Sequence, residues 1–309
     1  MSENNNVDVE KNDAAEAEVA PSRTLWSDAW KRLKKNKLAM AGAIWIIFML
    51  IIAVSAPLWA PSVLGDPTTA DSATMTANSR LAPSLVHPFG TDTLGRDVLC
   101  RVVYGARVSL AVGVLATAIS TVLGLIMGAI AAYYGGIWDT IIMRLADIFM
   151  AFPYTLFVIA MIAVLGNGIQ NVFIAIGILG WPSIARVFRS AILTVKENDY
   201  VDAARAMGAS DLRIVARHIL PNSVASIVVY ATMNIGGAIL TESSLSFLGM
   251  GVVPPDPSWG NLISDGQMYL ATQPWLMIMP GLAILTTVLA FTLLGDGLRD
   301  ALDVKMKDA

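Results

Sequence analysis

The chain has 309 residues, of which 55% are hydrophobic and only 15% are charged, and its net charge at neutral pH is −3. Because soluble domains carry about 25% charged residues, this composition excludes an ordinary soluble domain. From 108 to 138 the sequence contains no Lys, Arg, Asp or Glu, and about 20 apolar residues suffice for a helix to cross the hydrocarbon of a bilayer. The chain is therefore predicted to be an integral membrane protein.

Two segments precede the first long apolar run. Residues 1–22 are rich in Asn, Asp, Glu and Ala and lack the apolar core of a signal peptide, so we predict a disordered acidic tail. In residues 23–37, tryptophan and leucine side chains recur at helical spacing opposite a cluster of lysines. This pattern predicts an amphipathic helix that lies in the membrane interface.

Six transmembrane helices are predicted from the apolar runs. The first covers residues 38–60, and the Pro-, Thr-, Ser- and Asp-rich segment 61–104 is too polar for lipid and is predicted to be extracytoplasmic. Residues 105–298 are predicted to form a core of five further helices. These lie at about 108–133, as two antiparallel helices within 148–185 separated by a turn at 166–168, at 222–240 and at 275–294.

The distribution of Lys and Arg around these spans indicates the orientation of the chain. With a cytoplasmic N-terminus, most basic residues near the spans fall on the inner side. The outer side then receives four arginines, Arg80, Arg96, Arg101 and Arg107. Because cytoplasmic loops carry the excess of Lys and Arg, both termini, including the 299–309 tail, are predicted to be cytoplasmic. The same orientation places the loop 190–221 inside the cell.

A polar and basic segment between the fourth and fifth predicted spans carries the most specific pattern in the chain. Residues 202–208 read Asp-Ala-Ala-Arg-Ala-Met-Gly, and Pro221 follows just before the fifth span. Two adjacent alanines give a short helix an almost bare face, and Gly208 can take the left-handed conformation that ends a helix. Such a helix beside a membrane suits docking into a groove on another protein, although an ordinary loop helix would have the same composition.

This segment resembles the cytoplasmic EAA loop of ABC-importer permeases. In that loop Glu-Ala-Ala is followed three residues later by Gly and then by a Pro near the next span, and the departure here is Asp in place of Glu. In the family the loop forms the coupling helix that seats in a groove of the ATPase subunit. The resemblance implies that coupling to an ATPase is carried by Asp202, Ala203, Ala204, Gly208 and Pro221.

Further blocks extend the resemblance from residue 25 to residue 302. Residues 87–99 look like the block before the second span of dipeptide and oligopeptide permeases, and residues 242–249, 254–260 and 294–300 match the same group. The resemblance points to the C-type subunit of that family, whose members also serve nickel and glutathione, and it implies an all-α, type I ABC-importer permease fold. It also implies a homologous second permease, two cytoplasmic ATP-binding subunits and an extracytoplasmic solute-binding protein as partners.

Three polar residues in the fifth predicted span are candidates for the translocation pathway. Glu242 is the one acid in its apolar part, and a charge at the bilayer centre costs about 2.5–3.5 kcal/mol, so it should face a cavity or water. Because about 31 Å of helix separate it from Pro221, Glu242 is predicted to lie near the outer mouth, either as a structural acid or in the external vestibule. Asn234 and Thr241 are pore candidates of the same kind, or they tie helices together.

The missing motifs narrow the function further. The sequence has no Gly-Lys dipeptide and hence no P-loop, and it has no HExxH or GxSxG motif. Its one cysteine, Cys100, and its two distant histidines, His87 and His218, offer no metal cluster. We therefore predict no catalytic site, metal, cofactor or nucleic-acid partner for this chain, with ATP hydrolysis on partner chains. A secondary transporter driven by an ion gradient is the alternative function.

Overall fold

The computed structural model describes residues 25–69 and 75–302, and within these ranges all the regular elements are helices. The predicted acidic tail, 1–22, and residues 303–309 lie outside the described residues. In chain order the α-helices are α1 (Leu25–Lys35), α2 (Lys37–Leu64), α3 (Met75–Asn78), α4 (Val98–Tyr134), α5 (Gly136–Ala151), α6 (Tyr154–Leu165), α7 (Ile169–Lys196), α8 (Asp199–Ala206), α9 (Asp211–Ile214), α10 (Leu220–Phe247), α11 (Trp259–Gly266) and α12 (Trp275–Leu302). A π-helical turn (Val215–Ile219) joins α9 to α10.

Six transmembrane segments result when the bent pair α5–α6 counts as one span, which agrees with the number predicted. The five continuous spans are α2, α4, α7, α10 and α12. Helices α5 and α6 meet at 89°, with Phe152 and Pro153 between them. Phe152 has extended backbone angles and Pro153 has no N–H to donate, so α5 ends there.

Two membrane helices begin well before their predicted starts, and α7, α10 and α12 end later than predicted, at Lys196, Phe247 and Leu302. Helix α4 begins at Val98, so the non-helical part of the predicted segment 61–104 is shorter than expected. It begins early because the Asp97 carboxylate accepts a hydrogen bond from the amide of Cys100 at 2.9 Å and thereby caps the helix. The third span also begins earlier than predicted, at Gly136, directly after the end of α4.

Helix α4 packs along α7 through small residues. A Cβ atom at Gly124 would lie 2.6 Å from the Cβ of Ile184, and one at Gly128 would lie 2.7 Å from the carbonyl oxygen of Ala185. Real Cβ atoms do not approach this closely, so glycine is required at both positions. The two helices therefore meet backbone to backbone in the middle of the bundle.

Helix α1 folds back on the start of α2 and the end of α12. Four residues of these helices form a buried cluster, Ala29, Leu33, Ala39 and Ala301. Gly297 of α12 has no room for a Cβ beside Ala39, whereas Trp30, on the other face of α1, is about half exposed. The amphipathic helix predicted for this region is present, and its place in the membrane interface stays a prediction.

A cluster of ion pairs joins the loop before α4 to α4 and α11, at the end of the bundle away from α8. Arg101, on the first turn of α4, donates from Nη1 to Asp92 at 2.8 Å and to Asp265 at 3.2 Å. Asp92 also accepts from Nε of Arg96 at 2.8 Å. These four residues, the Arg101 cluster, hold the loop against the start of α4 through charge-assisted hydrogen bonds.

Candidate functional site

Helix α8 is a short helix between the ends of α7 and α10, and it ends as the sequence predicts. Gly208 has φ +79°, in the left-handed region. The amide of Ala209 donates to the carbonyl oxygen of Ala204 at 3.1 Å, and the amide of Gly208 donates to that of Arg205 at 3.0 Å. This pair of bonds is the usual closure of a helix at a left-handed glycine, so the conformation predicted for Gly208 is confirmed.

Ala203 and Ala204 lie on different faces of α8, which corrects the prediction of one bare Ala-Ala face. Ala204 is only 3% exposed and packs with Val201 against α7, whereas Ala203 is exposed. The reason is that successive residues of an α-helix lie about 100° apart. The solvent-facing side of α8 carries Asp202 and Ala203, and it continues into Met207, which is 82% exposed. Nothing in the sequence pattern singled out Met207.

Helix α8 is attached to the bundle on both sides. Before it, Nζ of Lys196 donates to the carbonyl oxygens of Tyr133 at 2.7 Å and Ala132 at 3.2 Å, at the C-terminal end of α4. After it, the hydroxyl of Tyr133 donates to the carboxylate of Asp211. Pro221 lies in the first turn of α10, where its missing N–H forfeits no helical hydrogen bond. These contacts tie the chain on both sides of α8 to the C-terminal end of α4.

A cleft of about 460 Å³ lies between α4, the α5–α6 break, α7 and α10. Asn234 and Thr241, two of the three pathway candidates, line it. The other lining residues are hydroxyl-bearing, aromatic, aliphatic or small, and they are Thr117, Ser120, Phe149, Met150, Phe152, Tyr154, Ile176, Leu179, Gly180, Pro182, Ser183, Gly237 and Ala238. None of these described lining residues is Lys, Arg, Asp or Glu, so the cleft is polar without being charged.

Two polar side chains of the cleft, Ser120 and Asn234, are held in place by backbone carbonyl oxygens. The hydroxyl of Ser120 donates to Gly177 at 2.8 Å, and Nδ2 of Asn234 donates to Tyr230 at 2.8 Å. Their oxygen atoms keep lone pairs that can accept further hydrogen bonds. Most of the cleft residues were missed in the sequence because they come from different helices, and no local pattern shows which helix faces meet.

Glu242 follows Thr241 directly but lies on another face of α10, outside the lining of the cleft. Its side chain is fully buried, and its carboxylate accepts hydrogen bonds from Ser109 at 2.9 Å and Ser246 at 2.7 Å. The hydroxyl of Ser109 in turn accepts from the amide of Trp259 at 3.4 Å. Of the two interpretations left open by the sequence, this geometry favours a structural acid that joins α4, α10 and α11 over a residue of an open vestibule.

A polar cleft between membrane-spanning helices suits a multi-pass transport protein, and comparisons with known proteins give the family. The model for the binding-protein-dependent transport system inner membrane component matches residues 120–308. The model for the N-terminal TM domain of oligopeptide transport permease C matches residues 24–83. The chain therefore belongs to the family of inner-membrane permease subunits of binding-protein-dependent ABC importers, and it is a multi-pass inner-membrane protein.

Curated relatives match over nearly the full length of the chain. The glutathione transport system permease proteins GsiD of Escherichia coli O6:K15:H31 (strain 536 / UPEC) and Shigella boydii serotype 4 (strain Sb227) are each 45% identical to it over 285 residues. The match covers 92% of this chain and 92% of each relative. This identity places the chain among ABC-importer permeases, as the EAA-like loop had indicated.

Solved structures show the same fold. Two structures of inward-facing conformations of the MetNI methionine ABC transporter match with a TM-score of 0.54 and sequence identities of 22% and 21%. Each match covers 66% of this chain, and 96% or 97% of the chain in the solved structure. The predicted ABC-importer permease fold is therefore confirmed.

Proposed function

We propose that this permease forms half of the membrane pathway of an ATP-driven importer for small peptides of the dipeptide, oligopeptide or glutathione kind. The observation that carries the proposal is the 45% identity, over 92% of the chain, with permeases named for glutathione transport. The cleft supports it, since its volume of about 460 Å³ falls within the roughly 300–1,000 Å³ of small-molecule sites. Asn234 and Thr241 are the pathway residues that the sequence and the cleft have in common.

In this proposal the α8 end of the bundle faces the cytoplasm. Basic residues gather at that end, and they include Arg186, Arg189, Lys196, Arg205, Arg213 and Arg217. At the other end, the arginines of the Arg101 cluster are paired with aspartates. Because the excess of Lys and Arg marks the cytoplasmic side, both termini are cytoplasmic.

Helix α8 is the element through which a separate ATPase acts on the pathway. Its exposed side, with Asp202 and Ala203, is small enough to enter a groove, while Ala204 on its buried side packs against the bundle. Gly208 ends the helix and Pro221 starts the next span. Since Lys196 links this region to α4, a displacement of α8 is transmitted to α4 and α7, two of the helices that line the cleft. Nucleotide binding then shifts the populations of inward- and outward-facing states.

The importer is completed by other chains. These are a homologous second permease, two cytoplasmic ATP-binding subunits and an extracytoplasmic solute-binding protein, assembled in the lipid bilayer. Support comes from the family description, which names dependence on a binding protein, and from the lack of a P-loop in this sequence. The chain itself acts as a translocation subunit and not as an enzyme.

The coupling role is tested by cysteine crosslinking in a Cys100→Ser background. Ala203→Cys places a thiol on the exposed side of α8 and is expected to crosslink to the ATP-binding subunit in the assembled complex. Ala204→Cys is the matched control, because its side chain is buried against the bundle. Failure of Ala203→Cys to crosslink, or equal crosslinking at both positions, would contradict docking through this side of α8.

Transport is tested by uptake of labelled glutathione into proteoliposomes that contain the whole complex. Uptake is expected to require ATP and the solute-binding protein. Uptake by this chain alone, driven by an ion gradient, would instead establish the alternative of a secondary transporter.

A further inference from the structure

The break between α5 and α6 places the start of a helix at the cleft. Phe152 and Tyr154, on either side of Pro153, both line the cleft. Among the described residues no side chain caps α6, and its first amide-to-carbonyl bond runs from Phe157 to Pro153 at 3.1 Å. The amide groups that precede Phe157 therefore have no partner within their own helix, and they carry the partial positive charge of a helix N-terminus.

A second and independent feature of the cleft is a buried hydroxyl group without a partner. Thr117, on α4, lines the cleft and is only 5% exposed, and its Oγ1 makes no hydrogen bond to any described residue. Burial of an unpaired polar atom is unfavourable. Thr232 and Thr286 donate to a backbone carbonyl one turn earlier. Thr121 and Thr287 are, like Thr117, unpaired among the described residues, but they do not line the cleft. Thr117 therefore combines a place in the lining of the cleft with a buried hydroxyl that lacks a partner in the described part of the chain.

We infer that the cleft binds a peptide with its carboxylate at the N-terminus of α6 and its amide groups within reach of Thr117 and Asn234. The inference rests on the proposed function and names the part of the substrate that this subunit recognises. Backbone N–H groups at helix N-termini bind carboxylates. Nδ2 of Asn234 donates to the carbonyl oxygen of Tyr230. The amide oxygen of the same side chain, Oδ1, can still accept a hydrogen bond from a peptide N–H.

The uncharged lining suits a site of passage. No Lys or Arg is among the described lining residues. The carboxylate of the peptide would therefore interact with the N-terminus of α6 and form no ion pair. A helix N-terminus favours an anion by a factor of roughly 2 to 30. This preference is enough to orient a peptide in the cleft and too small to retain it.

The inference is tested by protection of a cleft thiol from alkylation, in the whole complex without the solute-binding protein and in a Cys100→Ser background. Ser183→Cys places the thiol in the cleft, and Val86→Cys places a control thiol on an exposed loop outside it. The probes are S-methylglutathione, which has two carboxylates and no thiol, and its dimethyl ester, which has no free carboxylate.

We expect S-methylglutathione to slow alkylation of Ser183→Cys by about threefold or more relative to the dimethyl ester, and to leave Val86→Cys unaffected. Equal protection by the acid and the ester, protection by neither, or an equal effect at Val86→Cys would overturn the carboxylate site.

Two variants at Thr155 distinguish an effect of negative charge at the N-terminus of α6 from an effect of side-chain shape. Thr155 is the exposed second residue of α6, and Thr155→Asp places a carboxylate at the helix N-terminus that repels a second one. Thr155→Asn has the same shape without the charge. We expect Thr155→Asp to abolish protection and Thr155→Asn to retain it, and equal protection in both variants would overturn the inference.

ATP-dependent uptake of glutathione, with the solute-binding protein added, reports separately on the proposed function. Uptake without protection of the cleft thiol removes the carboxylate site and leaves the proposed function intact. Absence of ATP-dependent glutathione uptake by the whole complex removes the proposed function. Protection of the Ser183→Cys thiol then shows by itself whether the cleft binds a carboxylate.

Discussion

The ammonium group of Lys196 lies 2.7 Å from the carbonyl oxygen of Tyr133, so the last residue of α7 closes the end of α4. The same ammonium lies 5.5 Å from the centroid of the Tyr133 ring. A cation at this position complements the negative end of the α4 dipole. Helix α8 begins directly after this contact, which makes Lys196 the connection between the proposed docking helix and the longest helix of the bundle.

Loss of this cation is expected to loosen α8. Lys196→Met keeps most of the side-chain stem and removes the donors to Tyr133 and Ala132, which lowers the local stability by about 1–2 kcal/mol. Hydrogen exchange measured by mass spectrometry should show faster exchange in α8, and uptake per ATP hydrolysed should fall. Lys34→Met, on α1, is the control, and exchange in α8 that matches the unmodified protein would contradict the prediction.

The end of α8 should depend on glycine. Gly208→Ala forces a residue with a Cβ into the left-handed region at φ +79°, which costs about 1–2 kcal/mol. Open space surrounds this position, so the cost comes from the backbone alone.

The matched control for Gly208→Ala is Gly281→Ala, because Gly281 also has open space for a Cβ but lies inside α12. Alanine there should stabilise the helix by up to about 1 kcal/mol. Thermal unfolding in detergent measures both variants, and equal shifts of the midpoint would be inconsistent with a strained backbone at Gly208.

Glu242 is expected to matter for stability and not for uptake. Glu242→Ala leaves the buried hydroxyls of Ser109 and Ser246 without their acceptor, and it should destabilise the subunit by about 1–3 kcal/mol. Glu242→Gln keeps an oxygen acceptor and should destabilise the subunit less than Glu242→Ala. Uptake per folded subunit should be unchanged in both, since this side chain does not line the cleft. A Glu242→Gln subunit that is fully stable and inactive would refute the structural role.

Among the charged residues at its end of the bundle, substitutions in the Arg101 cluster should lower the stability of the fold the most. The Arg101 side chain is 4% exposed, and Arg101→Met leaves Asp92 with Arg96 as its one ion-pair partner and removes the ion-pair partner of Asp265. Removing one member of a buried ion pair costs about 3–5 kcal/mol. Arg144→Met is the control, because its side chain is 80% exposed and lies 3.9 Å from Asp147, and exposed pairs contribute little. Equal shifts of the unfolding midpoint in Arg101→Met and Arg144→Met would contradict a stabilising role of the Arg101 cluster.

The number of spans was predictable because a helix in lipid must satisfy its own backbone hydrogen bonds, so a long apolar run suffices to find it. The 89° bend between α5 and α6 could not be predicted, although Pro153 is visible in the sequence. A proline only weakens a helix, and the packing of α5 and α6 against neighbouring helices decides how far the halves turn. The early start of α4 was missed because Arg101 and Arg107 interrupt the apolar run in its first three turns, and the predicted span began after the second of them.

The candidate site was predictable where a local backbone rule applies. Gly208 took the conformation predicted for it, because a glycine at the end of a short helix enters the left-handed region without steric cost. Ala203 and Ala204 were placed on one face because the sequence does not show which side of α8 meets α7. The environment of Glu242 could not be predicted either, because its partner Ser109 lies on a helix far away in the chain.

The contact between Ala39 and Gly297 has a consequence for how the protein is made. It brings together the first and the last membrane spans, so the side of α2 that packs on α12 lacks this partner span while the middle of the chain is still being synthesised. Lipid or insertion machinery must cover it until α12 leaves the ribosome and enters the bilayer. The bundle is thus closed by its final helix, and a nascent chain stopped before that point would remain open along its first span.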